Sequence, residues 1–287
     1  MRLPVPDTRH ADPAMVDRLD SYFTTKSEKH LDDYMGHFTE DAFYADAVLG
    51  WTSTDRAAIR EAVAKFMPNW GTGTSYATRI VGNDTGAIIA VTDTPELFGS
   101  EIRALSVVDY VDGSVARFVD YWDSRHFGRE AASHMRTPAD AFPTHLGEDA
   151  VSSTTDQTIT GVVKSLVDAL TTGDVAATLD LFADDIVFED NTLRLQISGK
   201  YATGSFLTRS NGQLPYAQNV TPVHIVGGAQ GGGFEWRAPA ADVKFGVVCV
   251  ELDDNAKISR LTTVWDGGLV DDQQFTKMML WSTDVAV

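Results

Sequence analysis

The stretch FTEDAFYAD, residues 38–46, returns in altered form as FADDIVFED, residues 182–190. Both run Phe-x-x-Asp, then an apolar and aromatic stretch, then a closing acid, Asp46 in one and Asp190 in the other. The context repeats too. Upstream of the second copy, VVKSLVDALTTGDVAATLDLF sets Val163, Leu166, Ala169 and Leu170 at helical spacing and then breaks at Gly173-Asp174. Upstream of the first, VDRLDSYFTTKSEKHLDDYMGHF has the same outline, with Leu19, Tyr22 and Phe23 facing inward. Downstream, RFVDYWDS (117–124) answers RLTTVWDG (260–267) at nearly the same offset, so Trp122-Asp123 matches Trp265-Asp266. A near-constant offset across several phrases signals tandem duplication.

Between these anchors each half reads as strands. They are GAIIAVTDT, EIRALSVVDYV and SVARFVDYW in the first half, and GGFEWRA, VKFGVVCVEL and ISRLTTVW in the second. Pro95, Gly99 and Asp112-Gly113 punctuate the first set; Pro239 and Asp253-Asp254-Asn255 punctuate the second. Helices followed by a run of antiparallel strands define an α+β class. The expected units are residues 11–135 and 157–287, joined by a Pro-, Ser-, Thr- and Asp-rich linker at 136–156. GGAQGGG (227–233) opens a strand, not a helix, and therefore reads as a flexible hairpin without phosphate-binding geometry.

The 287 residues, 43% hydrophobic and 22% charged, supply a well-stocked soluble core. A formal charge of −18 argues against nucleic acid or an anionic membrane as partner. Cys249 is the single cysteine, so no intrachain disulfide or cysteine metal site is expected. The histidines lack metal-ligand spacing, and no metal or cofactor is expected. MRLPVPDTRHADPAM contains no apolar run of signal-peptide type, and no stretch approaches the ~18 apolar residues of a membrane span. The expected location is cytoplasmic.

Helix, Gly-Asp, helix, Phe-x-x-Asp, apolar run, Asp, and then a sheet closing on Trp-Asp: this order resembles the nuclear-transport-factor-two-like superfamily. Its SnoaL-like proteins, ketosteroid isomerases and limonene epoxide hydrolases share one fold. ALTTGDVAATLDLFADDIVFED is the closest stretch to the ketosteroid isomerase opening. The resemblance implies two tandem cone-shaped domains of the cystatin-like α+β barrel type. In each, a curved antiparallel sheet and N-terminal helices enclose an apolar pocket. It also implies an intrachain pseudo-dimer packed through the sheets, and leaves a further homodimer open.

Two catalytic sets follow from it. The ketosteroid isomerase pattern places the base at Asp46 and oxyanion donors at Tyr22 and Asp109. In the second half Asp190 holds the base position but Leu166 replaces the tyrosine, so the first half is the expected catalytic one. The limonene epoxide hydrolase pattern, an Asp-Arg-Asp triad with a water-holding Tyr and Asn, falls on Asp93, Asp120 and Tyr44, with Asp46 in the asparagine's place. Its arginine is absent, Val91 standing there, and Arg79 or Arg103 from a neighbouring strand is the expected substitute.

Independently of any family, a carboxylate held in an apolar hollow has its charged form desolvated and becomes an acid or base near neutral pH. Tyr44, Trp51, Phe66, Trp122 and Arg103 are the expected substrate-binding residues, and Glu235 is paired with Asp190 as a second-half candidate. The implied activity is cofactor-independent isomerisation, cyclisation or elimination on a small apolar polyketide, steroid or terpenoid. Epoxide hydrolysis or epoxide-opening cyclisation is the alternative enzyme reading, and a non-catalytic module for an apolar ligand is the third.

Overall fold

The computed structural model describes residues 3–149, 151 and 155–283. Parts of the expected linker (150 and 152–154) and residues 284–287 lie outside the described residues. The chain forms two α+β units in tandem. The first runs β1 (Asp7–Ala11), α1 (Pro13–Glu28), α2 (Leu31–Met35), β2 (Phe38–Asp46), β3 (Trp51–Ser53), α3 (Arg56–Phe66), β4 (Ser75–Gly82), β5 (Gly86–Asp93), α4 (Pro95–Phe98), β6 (Ile102–Val111), β7 (Ser114–Tyr121) and α5 (Arg129–Met135). The second runs α6 (Gln157–Thr172), α7 (Val175–Asp180), β8 (Phe182–Asp190), β9 (Leu195–Ser198), α8 (Lys200–Ser210), β10 (Thr221–Gly228), β11 (Gly231–Arg237), β12 (Phe245–Leu252), β13 (Ile258–Trp265) and α9 (Asp272–Leu280). β1 pairs with β4 at the edge of the first sheet.

Local chemistry starts and stops the opening helices. Asp12 caps α1 by accepting from the Ala14 N–H, Pro13 occupies the first turn, and Lys29 ends the helix in the left-handed conformation. Met15, Leu19, Tyr22 and Phe23 form its buried stripe. Asp156 and Gly173 do the same for α6, whose stripe is Ile159, Val163, Leu166 and Leu170.

The strand orders are β1-β4-β5-β6-β7-β2-β3 and β10-β11-β12-β13-β8-β9. They differ from the expected antiparallel sheets in being mixed: β2 lies parallel to β7, and β8 parallel to β13. The reason is topological. In each half the strand that follows the opening helices lies beside the last strand of the meander, after connections long enough to permit a parallel crossover, and β1 lies parallel to β4 in the first sheet.

Each sheet is covered on both faces. One face closes over its own helices, giving two separate cores. The other faces its counterpart across a third apolar layer that includes Ile88, Leu105, Val107 and Val119 from one half and Val226, Val247, Cys249 and Val264 from the other. The glycine-rich hairpin is shaped by this contact and is not a loose loop. A Cβ on Gly233 would stand 2.0 Å from the Val248 carbonyl oxygen and 2.6 Å from Ile88 Cδ1. Bare backbone there lets the sheets close. The connection is also packed: Leu146 is fully buried, and its carbonyl accepts from Arg117 Nε at 2.8 Å.

Buried charge pins the layer. Arg117 and Glu235 are fully buried on opposite sheets, with Arg117 Nη1 2.7 Å from Glu235 Oε2 and Nη2 donating to Oε1 at 2.9 Å. Tyr121 also donates to Glu235, at 2.6 Å, and Asp109 lies 3.4 Å from Arg117. His224 Nε2 meets both Asp109 oxygens at 2.9 and 3.0 Å. Burial disfavours the His224 imidazolium, yet the bond to Asp109 and its charge carry the pKa above the ordinary histidine value. At the other end of the layer Arg79 and Arg260 share Glu189 and Glu251.

Removing one partner from such a set leaves uncompensated charge in the interior. Arg117→Met is therefore expected to lower the unfolding free energy by about 3–5 kcal/mol in urea titrations. Replacing the exposed Arg9 should leave the midpoint where it is.

Candidate active site

The acids that close β2 and β8 do the same structural work in both halves. Asp46 Oδ1 accepts from the backbone N–H groups of Val48 (2.9 Å) and Leu49 (2.8 Å), and Oδ2 accepts from the Trp122 indole at 2.9 Å. Asp190 Oδ1 accepts from the Leu193 N–H at 2.9 Å and Oδ2 from the Trp265 indole at 3.1 Å. The two repeated phrases are thus bonded to one another: the acid of the first holds the tryptophan of the second. Burial pushes Asp46 up to about 7 against the opposing pull of those donors, and Asp190 up to about 6.

Around Asp46 the first half keeps a polar interior. Asp46 and Asp120 are register partners on the parallel strands β2 and β7. Tyr44 donates to Asp120 Oδ2 at 2.5 Å, and the Ser106 hydroxyl, from the facing position on β6, donates to Oδ1. Burial raises Asp120, while Lys26 and these two hydroxyls pull it back. Lys26 Nζ stands 3.9 Å from Asp93 Oδ1, the remaining acid of this interior. Tyr22 stacks on Phe118 and shares a 2.7 Å hydrogen bond with the Tyr34 hydroxyl. Tyr44, Asp46, Asp93, Asp120 and Lys26 are all half-buried, so solvent reaches the group.

The second half has lost this set position by position. Asp190 pairs in register with Thr263, whose hydroxyl donates to the Val247 carbonyl at 3.0 Å. Phe188 stands where Tyr44 does, two residues before the acid, and Val248 faces Thr263 as Ser106 faces Asp120. Leu166 and Leu170 occupy the α6 stripe as Tyr22 and Lys26 occupy that of α1. Asp190, Thr263 and Phe188 are fully buried, so the second hollow is filled.

Several expected placements are corrected. Asp109 is fully buried, but on the sheet face opposite Asp46, where His224 and Arg117 hold it. Alternation along β6 and β7 decides this: Ser106, Phe118 and Asp120 point into the cone, while Asp109, Arg117 and Tyr121 point to the other sheet. Glu235 is not paired with Asp190 and is not a solvated strand residue; the same alternation sends it to Arg117 and Tyr121. Arg103 is exposed and bonded to Glu101, and Arg79 is engaged by Glu189 and Glu251, so neither supplies the missing cation. Trp51 and Phe66 stack on each other at the surface, 39% and 46% exposed, not on a pocket wall. Trp122 is buried and orients Asp46.

Lys26, Ser106 and Tyr34 were missed by sequence reasoning. Lys26 had a readable signal: it follows Tyr22 by four residues and therefore shares the face of α1 that turns inward. Ser106 had none, because its place opposite Asp120 depends on register between strands.

No protein-family model matches the chain, and no curated protein matches it. Solved structures similar to it include the following. An NTF-2 like protein from Burkholderia xenovorans is 16% identical, covering 38% of this chain and 82% of its own, with a TM-score of 0.33. A cystatin-like fold protein from Silicibacter pomeroyi is 16% identical over 44% of this chain and 85% of its own, with a TM-score of 0.36. A protein of ketosteroid isomerase-like fold from Catenulispora acidiphila, solved with trimethylamine, is 14% identical over 44% of this chain and 98% of its own, with a TM-score of 0.36. At identities and TM-scores this low, neither fold nor chemistry is carried over from them.

Because Asp46 titrates near 7 in the folded protein and near 3.8 when exposed, its neutral form is the one the fold favours. Its stabilising contribution is complete below about pH 3.8, declines as pH rises and is gone above about 7. The stability difference between the native protein and Asp46→Asn should therefore slope across pH 4–7 and flatten above it. A carboxyl titration followed by difference infrared spectroscopy should place the midpoint near 7. A midpoint near 4 would remove the assignment.

Proposed function

We propose that the first half is a cofactor-free acid–base enzyme that opens the epoxide of a small, largely apolar metabolite, by hydrolysis or by internal cyclisation. The observation that carries this reading is the side-by-side placement of Asp46 and Asp120 on parallel strands, both raised by burial and only Asp120 held by two hydroxyl donors. Two adjacent carboxyls do not readily ionise together, so one keeps a proton and the other accepts one.

Burial raises Asp120 as well, but Lys26 and the hydroxyls of Ser106 and Tyr44 pull it back towards its ionised form, and it takes the role of base. Asp46, half-protonated near neutral pH, is the acid. Asp120 takes a proton from the attacking water, or from a substrate hydroxyl in the cyclising case. The new carbon–oxygen bond forms as the epoxide carbon–oxygen bond breaks, and the departing oxygen takes the proton of Asp46. Water returns the proton from Asp120 to Asp46 after release. Lys26 beside Asp93 supplies the positive charge for which the sequence offered no arginine, and it favours negative charge developing on the epoxide oxygen. The isomerase reading is weaker, because Asp109 faces the other sheet and the Tyr22 hydroxyl is engaged by Tyr34.

The test uses the full chain and a panel of terpenoid and polyketide-like epoxides, limonene 1,2-epoxide among them, with diol or cyclic ether measured. Asp120→Asn is expected to lower kcat/KM by ~10²–10⁴-fold, as loss of a general base does. Asp190→Asn should leave turnover intact. The rate should fall as pH rises through about 7, where Asp46 loses its proton, and Asp46→Asn should abolish that limb. Turnover that survives Asp120→Asn overturns the proposal. Binding of the epoxides without turnover would instead mark the non-catalytic module.

A further inference from the structure

Where the two halves meet, a cavity of about 230 Å³ lies outside the candidate active site, with none of Tyr44, Asp46, Ser106 or Asp120 in its wall. It is built by the turn after β2 with Ala47 and Val48, the end of β7 with Tyr121 and Trp122, the connection with Arg136, Thr137, Ala139 and Phe142, and the second half with Phe245, Trp265 and Leu269. Neither half forms it alone. Its volume exceeds the ~150 Å³ that an apolar protein cavity needs to take up benzene.

The chemistry of the wall is one-sided. The Tyr121 hydroxyl is spent on Glu235, the Trp122 indole on Asp46, the Trp265 indole on Asp190 and the Thr137 hydroxyl on the Gly50 carbonyl. These residues thus offer carbon surface to an occupant. Arg136 is different. Its Nε donates to the Val48 carbonyl at 3.0 Å and its Nη2 to the Asp266 carboxylate, which fixes the guanidinium across the join of the two halves. Among the described residues no protein atom accepts from its Nη1. Lys244 and Asp242, both exposed at the rim, add one charge of each sign.

We propose that this cavity is a binding site for a small ring compound, aromatic or alicyclic, whose single carboxylate or carbonyl oxygen meets Arg136. The ring body would lie against Trp122, Phe142, Phe245 and Trp265, where burial of apolar surface drives binding. The oxygen would take the free guanidinium donor, since a fixed guanidinium with an unused N–H is a preorganised partner for it. The proposal is independent of the epoxide-opening reading and stands whether or not that reading does.

The experiment titrates the full-length protein with 2-naphthoate by equilibrium dialysis and tryptophan fluorescence, with naphthalene as the probe that lacks an oxygen. Saturable binding of 2-naphthoate is expected. Ala139→Trp, at an exposed position in the roof, should fill the cavity and abolish binding of both probes without disturbing the fold. Arg136→Met should weaken 2-naphthoate by roughly ten-fold, the loss of one charged hydrogen bond, and leave naphthalene nearly unchanged. Tyr44→Phe, in the first-half interior, should change neither. Absence of saturable binding overturns the proposal, as does binding that survives Ala139→Trp or is lost in Tyr44→Phe.

Discussion

The inter-sheet contact governs the molecule. Because each sheet is covered on both faces, a buried strand residue turns either to its own helices or to the opposite sheet. A one-residue change of parity exchanges chemistry for structure. Asp109 and Asp120 illustrate it. Both are acids on adjacent strands of one sheet, yet one is held by Arg117 on the neighbouring strand and by His224 across the join, while the other keeps two hydroxyl donors inside the cone. Arg117 shows what the contact demands in return. A guanidinium with no exposure is tolerable only where Glu235, Asp109 and the Leu146 carbonyl all accept from or face it.

Duplication freed the two halves to diverge. The device common to both is the acid–indole bond, Asp46 to Trp122 and Asp190 to Trp265, which ties the ends of two parallel strands that no short turn joins. That bond alone explains why the acid recurs, and it needs no catalysis. What differs is its surroundings. With Tyr44, Ser106, Asp120 and Lys26 nearby the acid belongs to a partly exposed polar group; with Phe188, Val248, Thr263 and Leu170 nearby it is fully buried, held by the Leu193 N–H and the Trp265 indole. The recurrence of the residue is thus evidence of architecture, and the retention of its neighbours in one half alone is the functional signal.

Much of the fold was legible because it rests on local pattern. The helical stripes, the Gly173 stop, the strand runs and the duplicated phrases lie along the chain, and the coordinates place them close to where periodicity does. The site was legible in part. Asp46, Tyr44 and Asp120 come together because the opening strand aligns with the last one, which the repeat itself suggested. Asp109 and Glu235 turn to the other sheet, which was not legible because the sequence shows that strand faces alternate but not which parity meets which partner. The mixed sheets were hidden for a related reason: strand direction depends on the crossover, and composition does not record it.

The filled half has a physical role even without chemistry. A single curved sheet of this kind leaves its outer face apolar, and Ile88, Leu105, Val107 and Val119 would meet water if nothing covered them. A separate partner subunit covers such a face only as far as concentration allows. A fused copy covers it at all concentrations, and it need not keep the symmetry that two identical chains impose. Hence Arg117 of one half meets Glu235 of the other with no mirrored pair required, and the connection can thread Leu146 and Arg136 into the join on one side. Asymmetry of the interface and asymmetry of the two interiors therefore have one origin, the covalent tandem.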